Sequence, residues 1–413
     1  MSDLPKILFI GDYCRQDYIS LLSDTKEHAT IYFLFYASSK EESNKGYKTY
    51  GQAIYWQQFK DVFSLLRSIK PAKVVFLYIE SYNHVVLNLA CRQAGISTYQ
   101  LEHGLRADYV LGFDPAISPK LPDTFSKKAT YYLNLLLHSP SKIKNRLFLL
   151  KSISLLNKED ALFVREFIRV RKQHNFLQTT RQIPADKRTA EFYISFSRNI
   201  YKIHQEEDAL PPSKSVYYIG IPYFDHLAKV EASEPVKAIL FIDQPLAEQN
   251  LLGWTRLYKT TFAEQFANIC YKLGYSLLVK PHPQQDISIW RRLEAKYNIT
   301  IISNDEISLF APQLRLVVGF YSTYLLPFAA LKHTTLITYE NHPSGKLMVS
   351  RAFTDAGVGH AIVDLNELYE LLPNLETLHQ KQISNKAKFT EDWLYKFDGK
   401  SGERLKEVLI KPN

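Results

Sequence analysis

Two doubly wound α/β domains in tandem, each on a parallel sheet, are what this sequence predicts, and three observations predict them. Short apolar runs of strand length alternate with stretches of helical character, which is the pattern of right-handed βαβ units. Several runs, such as Ile7–Gly11 and Leu277–Val279, are apolar without alternation, as strands covered on both faces are. A polar stretch bounded by prolines, Pro222–Pro235, then separates one alternating set from a second. At 413 residues the chain also exceeds what a single core commonly holds.

The first set opens with strands at Ile7–Gly11, Thr30–Tyr36 and Val74–Ile79, and helical stretches are expected near Gly51–Ile69 and at Tyr82–Ala94. Gly95 stands where a helix ends, and the strand Ser97–Leu101 follows it. From about Phe125 to Tyr201 the chain becomes basic, rich in Leu and Ile, and free of glycine. Within it, Ser152–Gln173 carries Leu155, Leu162, Phe163, Phe167 and Ile168 at roughly helical spacing, with basic residues between them. The expectation is a basic helical insertion over about 120–205, its apolar face either packed on the first domain or laid on a membrane surface. Val216–Ile221 reads as the last strand of a first domain over 1–228.

In the second set, Ala238–Ile242, Ser276–Val279, Ile299–Ile302, Leu316–Phe320, Thr335–Thr338 and His360–Val363 read as strands, with a helix at Thr260–Leu273. This second domain is expected over 229–385, with a C-terminal helix in 386–413 packing back on the first. Two such domains with ligands in the cleft between them make the GT-B type of architecture.

With 46% hydrophobic and 23% charged residues the composition is that of a soluble globular protein. No uninterrupted apolar run approaches the ~18 residues that a bilayer span needs. Met-Ser-Asp-Leu-Pro-Lys lacks the features of a secretory signal, and Cys14, Cys91 and Cys270 lie far apart without CxxC spacing. A reducing, cytoplasmic setting is therefore expected, without a zinc site or a disulfide framework. The net charge of +9 is uneven: between Lys127 and Arg188 fourteen Lys/Arg face four Asp/Glu, so the rest of the chain is about neutral. One basic region points to a local anionic partner: a membrane surface, a phosphorylated lipid or a nucleic acid. It lacks the regular aromatic interleaving of single-strand binders and any recognised reader motif, so a nucleic-acid partner is not expected.

Four loops after expected strands carry candidate chemistry. Glu102-His103-Gly104-Leu105-Arg106 pairs an acid with a histidine before a tight turn, suited to general acid–base work or to a plain strand exit. Asp243, at the end of Ala238–Ile242 and followed by Gln244, is either a base or nucleophile toward an anomeric carbon, or a buried or helix-capping aspartate. In Lys280-Pro281-His282-Pro283 two prolines, which lack N–H groups, end a central strand and present His282 beside Lys280, a pair suited to phosphate. Tyr321-Ser322-Thr323, ahead of a helical run at Leu325–Leu331, is an anion site or an ordinary N-cap. No GxxxxGK[ST], GxGxxG, GxSxG, HExxH or DxD-type pair appears, so neither cofactor nor metal is expected.

Taken in order, these loops resemble a family. Glu102-His103-Gly104-Leu105-Arg106 with Gly112 resembles the Glu-Asp-Gly-Phe-Leu-Arg motif of bacterial β-Kdo transferases of capsule and O-antigen assembly, Kdo being 3-deoxy-manno-oct-2-ulosonic acid. Val279–Pro283 resembles the His-Pro motif that those enzymes share with bacterial GT-B sialyltransferases and polysialyltransferases. Ile242-Asp243-Gln244 is similar to their Val-Asp-Gln segment, and Tyr321-Ser322-Thr323 to the Ser/Thr motif that grips the CMP phosphate. The resemblance implies a retaining transferase moving Kdo from CMP-β-Kdo to a glycan or lipid-linked saccharide, without a metal, in surface polysaccharide (lipopolysaccharide or capsule) synthesis. It implies Asp243 as nucleophile, His282 and Lys280 on the leaving phosphate, Ser322 and Thr323 holding it, and Gln244, Pro283 and Tyr321 lining the donor site. Glu102 would orient or deprotonate the acceptor, with His103 and Arg106 beside it. His103 departs from the second acid of many relatives, and Pro245 from a polar residue. The alternatives are an inverting CMP-sialic acid transferase on the same fold, with Glu102 or Asp243 as base, and more distantly a glycerol-phosphate polymer transferase. Peripheral contact with the inner membrane, and a place as a module of a larger synthase, are further expectations.

Overall fold

The computed structural model describes residues 4–104, 139–283, 285–346 and 348–411, which fall into two compact units. The N-terminal unit is built on seven parallel strands: β1 (Lys6–Ile10), β2 (Thr30–Leu34), β3 (Gln52–Ile54), β4 (Lys73–Phe76), β5 (Ser97–Leu101), β6 (Phe192–Ser195) and β7 (Ser215–Tyr218). Their order is β3-β2-β1-β4-β5-β6-β7, so the winding reverses between β1 and β4. Those two strands are central for a plain reason: Ile7, Leu8, Phe9 and Ile10, with Val74, Val75 and Phe76, are apolar on both faces and wholly buried. The helix Tyr82–Gln93 stops at Gly95, whose φ of 68° ends the helical run.

Three sequence expectations need correction here. Gly51–Ile69 is not one helical stretch: it holds the edge strand β3, a turn at Trp56–Gln58, and a helix only from Val62. That helix starts where the Asp61 side chain accepts from the Ser64 N–H at 2.7 Å and the Ser64 hydroxyl accepts from the Asp61 N–H at 3.1 Å. Ser152–Gln173 is not one helix either; Ser139–Leu155 and Lys158–Gln173 are separated by Asn157, whose side chain caps the second from Asp160 N at 2.8 Å. Third, the insertion does not run to 205. It ends before β6, whose Tyr193 and Ile194 are buried between β5 and β7. The insertion is locked to the sheet layer by Ser152, whose Oγ accepts from Val62 N at 2.9 Å and donates to Phe148 O at 2.7 Å.

The same unit takes in residues 400–411. Lys73 Nζ donates to Val408 O and Lys411 O, each at 2.7 Å, and Arg404 Nε donates to Ile219 O at 2.7 Å, so the helix Ser401–Ile410 is fastened to β4 and to the segment after β7.

The C-terminal unit, Phe224–Gly399, holds a six-stranded parallel sheet and a small hairpin. Its strands are β8 (Val236–Ile242), β9 (Ser276–Lys280), β10 (Ile299–Ile301), β11 (Leu314–Gly319), β12 (Thr335–Tyr339) and β15 (Gly359–Ile362), with β13 (Asn341–His342) and β14 (Gly345–Lys346) forming the hairpin. The order β10-β9-β8-β11-β12-β15 reverses direction between β8 and β11. The helix Arg256–Lys272 covers one face with Phe262, Ala263, Phe266, Ala267 and Cys270, recurring at helical spacing and all buried. Among the described residues no helix is long and apolar enough to cross a membrane.

Candidate active site

The register of the second sheet brings three of the four nominated loops to one line. Ile242 pairs with Lys280 on one side and with Gly319 on the other, so β9, β8 and β11 end level with each other. The residues that follow, Pro281-His282-Pro283, Asp243-Gln244 and Phe320-Tyr321-Ser322-Thr323, therefore leave the sheet side by side, at the point where its winding reverses. Such a switch point is where open α/β sheets form their ligand crevice. Gly319 permits the close approach: a Cβ there would lie 2.9 Å from Leu325 Cδ2 and 3.2 Å from Ile242 O.

Asp243 lies at the centre and is only 2% exposed. Its Oδ1 accepts from Gln244 N at 2.7 Å. Its Oδ2 accepts from Trp290 Nε1 at 2.7 Å and from Gln285 Nε2, and lies 3.3 Å from the buried Lys259 ammonium. Lys259 also donates to Gln244 O at 3.0 Å. Four donors on one buried carboxylate make it an anchored anion, the arrangement a charge needs once it has left water. Gln285 extends the anchor to the histidine loop: its Oε1 accepts from His282 N at 3.0 Å, and its own N–H donates to His282 O at 3.0 Å. His282 is thus held by its backbone at both ends, with a half-buried ring, while Pro283 is exposed.

Lys280 is 4% exposed, its ammonium 3.8 Å from the centroid of the Tyr324 ring. Ser322 is extended and caps the short turn after it, its Oγ accepting from Tyr324 N at 3.2 Å. Tyr321 and Thr323 flank it, both half-buried. Beside them, at the end of β12, Glu340 is buried with Oε2 accepting from Val349 N at 2.8 Å, and burial raises its pKa. His342 Nδ1 accepts from Trp254 Nε1 at 2.9 Å, and burial pushes its pKa down to about 4.

The fourth loop belongs to the other sheet. Glu102 continues β5, its N–H donating to Ile194 O of β6 at 2.9 Å. Its carboxylate is buried, with Oε1 accepting from His103 N at 2.8 Å and Oε2 paired with His204 Nε2. His204 Nδ1 lies 3.3 Å from the Tyr193 hydroxyl, which also accepts from Gln100 Nε2 at 2.8 Å. His103 packs its half-buried ring edge-on to Tyr18 at 4.9 Å. Arg106 lies outside the described residues, as do Leu105 and Gly112.

The structure thus brings Asp243, Gln244, Lys280, His282, Pro283 and Tyr321–Thr323 to the carboxyl ends of three adjacent strands, with Glu102 and His103 at the carboxyl end of β5 in the other sheet. Sequence reasoning missed Lys259, Gln285, Trp290 and His204 as partners of the two carboxylates. One signal was available: Lys259 interrupts the apolar stripe that continues through Phe262, Ala263 and Phe266, and a lysine on a core-facing stripe asks for a buried anion.

The family model described as alpha-2,8-polysialyltransferase (POLYST) matches residues 6–341. No curated protein matches the chain. Among solved structures, a variant of the wall teichoic acid polymerase TagF is similar with a TM-score of 0.51 and 12% identity, over 98% of this chain and 88% of that one. UDP-GlcNAc 2-epimerase from Neisseria meningitidis, bound to UDP-GlcNAc, shares 13% identity over 98% of this chain and 99% of that one, with a TM-score of 0.48. Os79 from O. sativa, in complex with UDP and deoxynivalenol-3-glucoside, shares 9% identity over 98% of this chain and all of that one, with a TM-score of 0.47. The fold is GT-B.

Proposed function

We propose, from the premise that this chain belongs to the alpha-2,8-polysialyltransferase family, that it transfers a CMP-activated 2-keto-3-deoxy sugar acid, with sialic acid the preferred donor, to a glycan acceptor by single displacement. That it is a glycosyltransferase of the sialyltransferase kind follows from the family; the donor and the stereochemistry are the proposal. In this reading the acceptor hydroxyl bonds to the anomeric carbon as the bond to CMP breaks, and gives its proton to a general base, the role assigned to Glu102. His282 protonates the departing CMP phosphate, while Lys280, Ser322 and Thr323 stabilise its charge. Tyr321, Gln244 and Pro283 shape the donor side, and no step calls on a metal.

The observation that carries single displacement is the state of Asp243. A glycosyl nucleophile must meet the anomeric carbon with a carboxylate oxygen, whereas both oxygens of Asp243 accept hydrogen bonds inside the unit and the residue is 2% exposed. Asp243 then serves as the anchor of the His282 loop. The Kdo reading keeps second place, favoured by the Ile242-Asp243-Gln244 segment and by the fact that both sugars are 2-keto-3-deoxy acids carried on CMP.

The test offers the full chain CMP-sialic acid or CMP-Kdo generated in place, with a saccharide acceptor and a chelator present. CMP release is followed, and the anomeric configuration of the product is read by NMR. Turnover of CMP-sialic acid with inversion, abolished in His282→Ala, is the expected outcome. Preference for CMP-Kdo, with a sugar adduct on the intact protein that disappears in Asp243→Asn, would overturn it and restore double displacement.

A further inference from the structure

The helix Ser139–Leu155 presents two apolar faces, and only one of them is used by the fold. Phe148, Ser152 and Ile153 turn inward; Phe148 packs edge-on against Trp56 with ring centroids 5.2 Å apart. On the opposite side Ile143, Leu147 and Leu150 are 62%, 53% and 56% exposed. Their spacing of i, i+4 and i+7 puts all three within an arc of about 60°. Lys144 and Lys151 border this stripe on one side, Lys142 and Arg146 on the other, and all four are exposed. None of the four pairs with an acidic side chain among the described residues.

We infer that this face is a docking surface for an anionic membrane, with the helix lying in the plane of the interface. An apolar stripe centred between two rows of cations fits the boundary of acyl chains and headgroups, where leucines enter the hydrocarbon and lysines stay among the phosphates. The charge decides between occupants. A nucleic acid would be met by cations at the centre of the face, where this helix has leucines. A second copy packed on the same face would set like-charged rows against each other across a two-fold axis. Of the apolar residues expected from sequence to form one face, Phe167 is buried and Phe163 and Ile168 pack on the core, while Leu155 and Leu162 are exposed; the apolar stripe bordered by cations is on Ser139–Leu155.

The inference stands apart from the donor chemistry, because its test needs no turnover. The full chain is floated with vesicles of phosphatidylcholine alone and with vesicles containing about one quarter phosphatidylglycerol. Binding to the anionic vesicles, at least tenfold above the neutral ones and weakened by salt, is expected. Leu147→Ser/Leu150→Ser should lower it at least tenfold, and Lys144→Gln and Lys151→Gln about fivefold each, with unchanged thermal melting because these side chains are exposed. Activity on a short soluble acceptor should stay that of the parent. Equal flotation of the parent and the Leu147→Ser/Leu150→Ser variant would overturn the inference. So would a folded parent that ignores anionic vesicles but binds single-stranded DNA, or a self-association that the leucine substitutions abolish.

Discussion

Asp243 and Glu102 each follow an interior strand of their sheet, β8 at the switch point of one and β5 a strand beyond the switch point of the other, and the two units treat them differently. Each carboxylate is buried and accepts an N–H from the residue after it. Asp243 is balanced by a lysine and two neutral donors, Trp290 and Gln285. Glu102 is balanced by a histidine that leans on a tyrosine, within the line His204–Tyr193. The first carboxylate meets an ammonium and two neutral N–H donors; the second meets an imidazole within a chain of hydrogen-bonding side chains. Two buried carboxylates can thus carry the same sequence signature, a place at a strand end, and differ in their partners.

Removing the cation separates them most. Lys259→Met leaves Asp243 buried without a counter-charge and should cost the C-terminal unit about 3–5 kcal/mol in denaturant unfolding. Asp243→Leu/Lys259→Met should recover most of it. His204→Phe should cost less, about 1–3 kcal/mol. A reversed order would end the contrast between the ammonium and the imidazole partner.

Acid comes next. His342 is held near pKa 4 in the fold against the usual value near 6.5, because burial disfavours its charged form and Trp254 needs its Nδ1 as an acceptor. The unfolded chain takes up the proton first, so the stability is fully present above about pH 6.5 and is lost as the pH falls toward 4, on the order of 3 kcal/mol. His84, buried in the N-terminal unit and likewise lowered to about 4, has the same sign. His342→Gln should therefore flatten the acid response of the C-terminal unit and leave that of the N-terminal unit intact, as tryptophan and tyrosine fluorescence melts at successive pH values can show.

A smaller effect is expected at Gln285, which joins the anchor to the histidine loop. Gln285→Ala should lower stability by about 1–2 kcal/mol and slow sugar transfer about tenfold, since His282 keeps its ring and the bond to its carbonyl but loses the side-chain acceptor of its N–H. A variant that transfers at the parental rate would detach Asp243 from His282. The smallest change is at Ser322. Ser322→Ala should cost about 1 kcal/mol as a lost cap, and Ser322→Gly a few tenths. If CMP affinity measured by calorimetry falls more than tenfold in both, the hydroxyl grips phosphate as well as capping the turn.

The strands at Ile7, Thr30, Leu277 and Leu316 were legible to within a few residues because burial on both faces leaves an apolar run, and Ser97–Leu101, Ser-Thr-Tyr-Gln-Leu, was read to the residue from its place after the helix-ending Gly95. The strands that escaped lack that mark. β3 is three residues at an edge, Gln-Ala-Ile, and β6 hides four residues behind a basic helical stretch. The strand ends were equally legible, and register then aligned those of the second sheet. What pairs with each carboxylate was not. Lys259 and Trp290 lie 16 and 47 residues beyond Asp243, and His204 lies 102 beyond Glu102, so only the folded topology brings them together.

The fastening of Ser401–Ile410 to β4 sets an order of events during synthesis. Every strand of the N-terminal sheet has been made by residue 218, yet Lys73, buried at the start of β4, receives its two carbonyl partners only after residues 408 and 411 are made. The C-terminal unit, complete by residue 399, can close first. At about 5–20 residues per second the earlier-made unit waits some ten to forty seconds, with a buried lysine lacking its partners, for the last helix to seal it.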